Sequence, residues 1–210
     1  MKQCVIFCAG EFDGLIQPFT GEEFVLAADG GLAHVQKLGI CPQGILGDFD
    51  SLGYIPEDAK VFPVEKDDTD SMLAVRLGLE RGFREFVLYG ALDGPRLDHT
   101  IANLQTLCFL ADRGARGHLV GKEHIVSVVK DGKLLFPPTA TGIVSVFCMG
   151  ENATGVCIQG LQYALENGVL SAHYPLGVSN HFIGKEATVQ VRQGTLLAIY
   201  DRKNGLARVE

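Results

Sequence analysis

Short, nearly uninterrupted apolar runs recur through the first 120 residues, and they constrain the fold more than any other feature. Residues 4–9 read Cys-Val-Ile-Phe-Cys-Ala, and comparable runs cover 24–28, 45–46 into Gly47, 60–64, 86–89 and 118–120. A strand that is apolar on every residue has no face to give to water. It belongs in a parallel sheet covered by helices on both faces. Helical patterns lie between the runs, over 31–38, 70–81 and 99–113. In the second, Leu73 and Leu77 make an apolar stripe thickened by Met72, Val75 and Leu79, and Gly82 suits a C-terminal cap. In the third, Ile101, Leu104, Cys108 and Ala111 recur at helical spacing, Asp98 can cap the start and Gly114 the end. Strand alternating with helix predicts an α/β layer architecture.

After about residue 122 the texture changes. Strands are expected at 125–129, 133–136, 143–148, 154–159, 169–174, 187–192 and 195–200, with hairpin turns at Asp131-Gly132 and Gln193-Gly194. A short helix is expected around 161–166. This half reads as an antiparallel β-sandwich. The division is an α/β domain over 1–122 and a β-sandwich domain over 123–210.

The polar residues collect where the early strands end. Gly10 follows the first, Asp29-Gly30-Gly31 the second, and Asp48 and Asp50 the third. Lys66-Asp67-Asp68-Thr69-Asp70 follows the fourth, and Gly90 through His99 the fifth. Open α/β sheets bind ligands along this carboxyl edge. In extended backbone Asp48 and Asp50 point to one side. Two carboxylates about 4 Å apart repel by about 4 kcal/mol at an effective dielectric near 20. A hard cation, Mg²⁺ first, relieves that, since it takes carboxylates together with substrate phosphates.

Each group also has a purely structural reading. Asp-x-Asp-Ser can be a polar turn. Thr69 or Asp70 can cap the helix that follows, and Asp70 can instead be a third metal ligand. Asp98 can be a cap or an active-site carboxylate, and Asn103 can simply be packed. Arg96 has the fork geometry that suits phosphate. The loop Gly177 to Phe182 is either a long hairpin or a ligand-reading loop, with Ser179 and Asn180 as hydrogen-bonding groups and Tyr163 as an aromatic platform.

Several classes are disfavoured. The chain carries 25 acidic against 18 basic side chains, a net −7, with no block of like charge, so nucleic acid and anionic membranes are poor partners. The N-terminal apolar run is too short for a signal peptide, and no run approaches the ~18 residues of a membrane helix, so the expected location is the cytoplasm. No Gly-x-x-x-x-Gly-Lys-Ser/Thr and no Gly-x-Gly occurs, which argues against Walker ATPases and standard dinucleotide folds. The six cysteines form no Cys-x-x-Cys pair and read as reduced thiols, mostly buried.

Taken together, Asp29-Gly30-Gly31, Gly47-Asp48-Phe49-Asp50-Ser51, Lys66-Asp67-Asp68-Thr69-Asp70, Arg96-Leu97-Asp98-His99 with Asn103, Gly160-Leu161-Gln162-Tyr163 and Val178-Ser179-Asn180 resemble the thiamine pyrophosphokinase family in order and spacing. The resemblance implies a Rossmann-like first domain, a β-sandwich second domain, and a homodimer with active sites at the subunit interface. It implies transfer of the diphosphate of ATP to thiamine, giving thiamine diphosphate and AMP. By the same resemblance Asp48, Asp50 and Asp70 match the Mg²⁺-binding acids. Asp29, Gly30, Asp67, Thr69, Arg96, Asp98 and Asn103 match the nucleotide and active-site shell, and Tyr163, Ser179 and Asn180 the thiamine side. Gly94-Pro95 stands where a glycine pair is more usual, and proline offers no N–H. The alternatives are a diphosphotransferase for another small alcohol and a non-catalytic thiamine or nucleotide sensor. If the metal reading holds, Asp48→Asn or Asp50→Asn lowers turnover at least ~100-fold (~2.7 kcal/mol) with the fold intact. Steady-state assay beside circular dichroism checks this, and a near-wild-type rate in either variant removes the metal assignment.

Overall fold

In the computed structural model, residues 2–47, 60–61 and 68–210 are described. The chain divides into two compact units, Met1–Leu110 with Leu119–Lys122, and Ala111–His118 with Glu123–Glu210.

The first unit begins with β1 (Cys4–Phe7) and β2 (Phe24–Ala28), continues through α1 (Gly31–Lys37), β3 (Gly44–Gly47), β4 (Lys60–Val61), α2 (Asp70–Glu80) and β5 (Glu85–Tyr89), and carries α3 (Leu97–Ala111). The strands lie in the order β5-β1-β2-β3-β4. Every pairing among them is parallel, for example Cys4 opposite Phe24 on one side and Phe86 on the other. All of β1 is buried, as its unbroken apolar run requires. The chain moves outward from β1 through β2, β3 and β4, then returns to lay β5 on the other flank of β1. The strand order therefore reverses between β1 and β5.

Both long helices bury a face other than the one their apolar spacing predicts. In α2 the buried residues are Ser71, Ala74, Val75 and Gly78, while Leu73 and Leu77 are half-buried. A Cβ on Gly78 would lie 2.6 Å from the Phe86 ring and 3.0 Å from Cys4 Sγ, so small residues let the helix settle close to the sheet. In α3 the buried set is Asn103, Thr106, Leu107 and Leu110, whereas Ile101 is 52% exposed. Each set has the i, i+3, i+4, i+7 spacing of one helix face. Gly82, at φ +87°, caps α2: its N–H donates to Leu79 O at 2.9 Å, and Phe83 N–H donates to Gly78 O at 3.0 Å. No helix among the described residues is long and apolar enough to cross a membrane.

The division between the units falls within β6 (Arg116–Val120), and the second unit continues with β7 (His124–Lys130), β8 (Lys133–Phe136), β9 (Ile143–Gln159) and β10 (Leu165–Ser171). It ends with β11 (Asn180–His181), β12 (Ala187–Gln190), β13 (Gln193–Asp201) and β14 (Arg208–Val209). The pairings among β7 to β14 are antiparallel. The strands expected separately at 143–148 and 154–159 are one strand. Gly150 and Gly155, at φ +126° and +64°, bend β9 without ending it. Its first part pairs with β13 and its last residues with β12.

Of the two expected hairpin turns, Asp131-Gly132 joins β7 and β8, which do not pair with each other, and Gln193-Gly194 is the start of β13 rather than a turn. β7 pairs with β13, and β8 with β12 and β14. Asp131 and Gly194 instead hold one another: Asp131 N–H donates to Gly194 O at 3.1 Å, and Gly194 N–H donates to Asp131 Oδ1 at 2.8 Å. The helix expected around 161–166 is absent. Leu161 bridges Phe182, and β10 begins at Leu165.

The core of the second unit contains a polar chain. Ser127 Oγ lies 2.7 Å from His118 Nδ1 and 2.7 Å from Tyr200 Oη, and Tyr200 Oη accepts from Ala207 N–H at 2.9 Å. Burial, with a smaller contribution from the charge of Arg116, lowers the His118 pKa to about 4. The unfolded chain binds that proton from about pH 6.5 downward, so stability falls between pH 6.5 and 4, by up to about 3 kcal/mol. Thermal unfolding across this range should show the loss, with a shallower slope in His118→Gln. Equal slopes would refute the assignment.

Candidate active site

The strand order reverses between β1 and β5, and a crevice lies at the carboxyl ends of these strands. Its floor is pinned by backbone. Cys8 N–H donates to Tyr89 O at 2.8 Å, Gly10 N–H to Gly90 O at 2.9 Å and Glu11 N–H to Asp93 O at 2.8 Å. A Cβ on Gly10 would lie 2.5 Å from both Gly90 O and Asp93 O, so the approach requires glycine. His34 of α1 adds a contact from its Nε2 to Gly10 O at 2.8 Å. The crevice holds about 350 Å³.

Asp29, Thr69, Asp70, Arg96 and Asn103 line this one cleft, although 74 positions separate the first from the last. Asp29 directly follows β2 in left-handed backbone, φ +48°, and its N–H donates to Leu46 O at 2.7 Å. A Cβ on Gly47 would come within 3.0 Å of Asp29 Cα, so the end of β3 lies against this residue. Gly30 is the N-cap of α1 and is not part of the cleft lining. Thr69 is the N-cap of α2, its Oγ1 accepting from Met72 N–H at 3.2 Å, and Asp70 opens the helix. Thr69 therefore caps the helix, and both residues line the cleft. Asp48, Asp50 and Asp67 lie outside the described residues.

Arg96 and Asp98 are exposed and paired in a fork, Nη2 to Oδ2 at 2.6 Å and Nε to Oδ1 at 3.3 Å. The hydrogen bond and charge of each partner hold Asp98 below and Arg96 above their usual ranges. Asp98 sits in the first turn of α3, which begins at Leu97, so it is not the cap residue that the sequence suggests. It is also outside the cleft lining.

Asn103 is buried, and its amide is committed at both ends. Oδ1 accepts from Ser71 Oγ at 2.7 Å, and Nδ2 donates to Ala91 O at 2.7 Å. Ser71, Thr100 and His34 escaped the sequence reading. Thr100 Oγ1 donates to Leu92 O at 2.9 Å and so steadies the loop after β5. None of the three belongs to a motif. Ser71 alone left a trace, as a hydroxyl at the head of an otherwise apolar helix.

In the second unit a cavity of about 300 Å³ is lined by Tyr163, Leu165, Leu170, Leu176, Val178 and Asn180, among others. Asn180 is buried and clamps Tyr163: Oδ1 accepts from Tyr163 N–H at 2.9 Å, and Nδ2 donates to Tyr163 O at 2.7 Å. Ser179, in left-handed backbone at φ +60°, is exposed, and its N–H donates to Ser145 Oγ at 3.0 Å.

Two family models match this chain in succession. The thiamin pyrophosphokinase catalytic domain spans residues 17–116 and the thiamin pyrophosphokinase vitamin B1 binding domain residues 123–196. The chain belongs to the thiamine pyrophosphokinase family. Among solved structures it is similar to a thiamine pyrophosphokinase from Bacillus subtilis, with 21% identity, 95% of this chain and 99% of that one covered, and a TM-score of 0.82. A thiamin pyrophosphokinase from Geobacillus thermodenitrificans gives 26% identity, 96% and 97% coverage and a TM-score of 0.77. One from Candida albicans gives 15% identity, 95% and 89% coverage and a TM-score of 0.76. Comparison of the sequence with curated proteins yields no match.

All six cysteines are free thiols. Cys8 lines the cleft, but burial, reinforced by the charge of Asp70, pushes its thiol up to about 12. Cys41 is exposed. Iodoacetamide at pH 8 should therefore label Cys41 first and leave Cys8 unlabelled until the protein unfolds, as read by peptide mass spectrometry. Early labelling of Cys8 would contradict this environment.

Proposed function

We propose that this chain transfers the diphosphate of ATP to the hydroxyethyl group of thiamine, producing thiamine diphosphate and AMP. One observation carries the reading. The cleft at the strand-order reversal gathers Asp29, Thr69, Asp70, Arg96 and Asn103, in a chain that matches both the catalytic and the vitamin B1 binding family models. ATP would occupy this cleft. The 11-residue α2 starts here, and the unpaired N–H groups and positive dipole end of a helix start favour phosphate. Arg96, now forked onto Asp98, presents the geometry that grips a phosphate equally well.

Mg²⁺ fits the described donors. Asp29 and Asp70 bring carboxylate oxygens to the cleft, and Cys8 stays a neutral thiol. No group of three acids, histidines or cysteines among the described residues would hold a metal by itself, so the proposed set is Asp48, Asp50 and Asp70. When bound, Mg²⁺ supplies charge neutralisation at the phosphate oxygens and at the departing AMP.

The thiamine hydroxyl oxygen forms a bond to the β-phosphorus as the bond to the bridging oxygen of AMP breaks, and AMP leaves with that oxygen. The hydroxyl proton passes to a carboxylate, for which Asp29 and Asp70 line the cleft whereas Asp98 stands outside its lining. Positioning and charge account for most of the acceleration in such transfers. Tyr163, Ser179 and Asn180 form the thiamine side, with Asn180 setting the Tyr163 backbone rather than serving only as a ligand contact. The reading includes domains at 1–122 and 123–210, helices on both faces of the parallel sheet, and a β-sandwich as the second domain. It also includes a cytoplasmic homodimer in which each subunit completes the other's site.

Incubation with ATP, Mg²⁺ and thiamine, followed by chromatography of the nucleotides, tests it. AMP and thiamine diphosphate should appear in equal amounts. ADP would indicate an ordinary kinase, and AMP formed with other alcohols as readily as with thiamine would move the assignment to a broader diphosphotransferase. Binding without turnover would leave a sensor.

A further inference from the structure

Ser71 is the first buried residue on the inner face of α2, and Asn103 is the first on the inner face of α3. They meet at 2.7 Å beside the cleft that both line. The direction of each proton in their network follows from chemistry. Ala91 O can only accept, so the Asn103 group 2.7 Å from it is Nδ2, and Oδ1 faces Ser71. Oδ1 can only accept, so the Ser71 hydroxyl donates to it. A serine hydroxyl has one proton. The 3.0 Å contact between Thr69 Oγ1 and Ser71 Oγ must therefore use the threonine proton. Thr69 Oγ1 meanwhile accepts from Met72 N–H. The protons run one way, from Met72 through Thr69, Ser71 and Asn103 to the end of β5.

We propose that Ser71 is a positioning residue for the ATP site. It holds the Asn103 carboxamide so that Nδ2, with one hydrogen spent on Ala91 O, has its second left as a donor at the cleft. It also keeps the Thr69 hydroxyl proton turned away from substrate. Thr69 then serves as the cap that sets the start of α2, and Asn103, rather than Thr69, offers a side-chain proton to a phosphate oxygen. This rests on the proposed function, since it names donors for the nucleotide of that site. Ser71 also ties the helix that begins with Asp70 to the helix that follows Arg96, which couples metal-side and phosphate-side groups through one buried bond.

The test uses Ser71→Ala, Ser71→Cys, Ser71→Thr and Asn103→Ala in the full chain. Ser71→Cys keeps a side chain of similar length and weakens the donor, so it serves if Ser71→Ala folds poorly. Ser71→Ala and Ser71→Cys should each raise the KM for ATP or its calorimetric dissociation constant about tenfold and leave the KM for thiamine unchanged. Ser71→Thr should restore ATP affinity. The double variant Ser71→Ala/Asn103→Ala should bind ATP no worse than Asn103→Ala alone, because both changes remove one network. In amide-resolved NMR, the Asn103 carboxamide proton bonded to Ala91 O should exchange slowly in the wild type and fast in Ser71→Ala. Multiplicative losses in the double variant, unchanged ATP affinity in Ser71→Cys, or an Asn103 carboxamide indifferent to Ser71 would overturn the inference. ATP binding and carboxamide exchange decide this even if the wild type releases no AMP, an outcome that would refute the proposed reaction instead.

Discussion

The backbone contact between the ends of β1 and β5 is the constraint on which the site depends. Two parallel strands normally separate where they end, since each continues into its own connection. Here Gly10 stays bonded to Gly90, and Glu11 to Asp93, beyond the last strand residues. Gly10 makes this possible because any side chain would meet carbonyl oxygens at 2.5 Å. The result is a narrow floor at the place where the strand order reverses. Asp29, which follows β2, and Thr69 and Asp70, at the start of α2, line the same cleft.

A second layer of order comes from polar groups on helix faces that would otherwise be apolar. Ser71, Asn103 and Thr106 are buried on α2 and α3, where hydrocarbon would pack more simply. A buried hydroxyl or amide without a partner costs about 1–3 kcal/mol, so such groups persist only where each finds one. At the cleft end of the two helices Ser71 and Asn103 find each other and the carbonyl of Ala91, while Thr106 donates back to Ala102 O. Packing and site geometry are thus set by the same bonds. The second unit repeats the theme, with His118, Ser127 and Tyr200 satisfying one another inside a β core.

Much of this was legible in the sequence. Unbroken apolar runs allow no solvated face, so the parallel sheet and its carboxyl edge could be read directly, and Asp29, Thr69, Asp70, Arg96 and Asn103 could be placed near one another. The helix faces were misread because hydrophobicity marks what prefers burial, whereas close approach to a sheet favours small residues such as Ala74 and Gly78. The turn at Asp131 was recognised but assigned the wrong partner strand, and Gln193-Gly194 was read as a turn where β13 already begins. A tight reversal is a local property, while the strand it delivers to is chosen by the whole sheet. Gly150 and Gly155 carried the same ambiguity: glycine permits a break and permits a bend, and the pairing of β9 with β13 and β12 selected the bend.

The sequence by itself determined the layer type of the first unit and the unpaired state of the cysteines, because these follow from residue identity and short-range spacing. Tertiary structure alone decided which partners the polar residues have. Arg96 forks onto Asp98, Asn180 fixes the backbone of Tyr163, and Asn103 is held by Ser71 across 32 residues of chain. Hydrogen bonds of this kind depend on angles and distances between elements that are remote in sequence. No local pattern encodes them, so the direction in which each proton points emerges only when the sheet has brought the elements together.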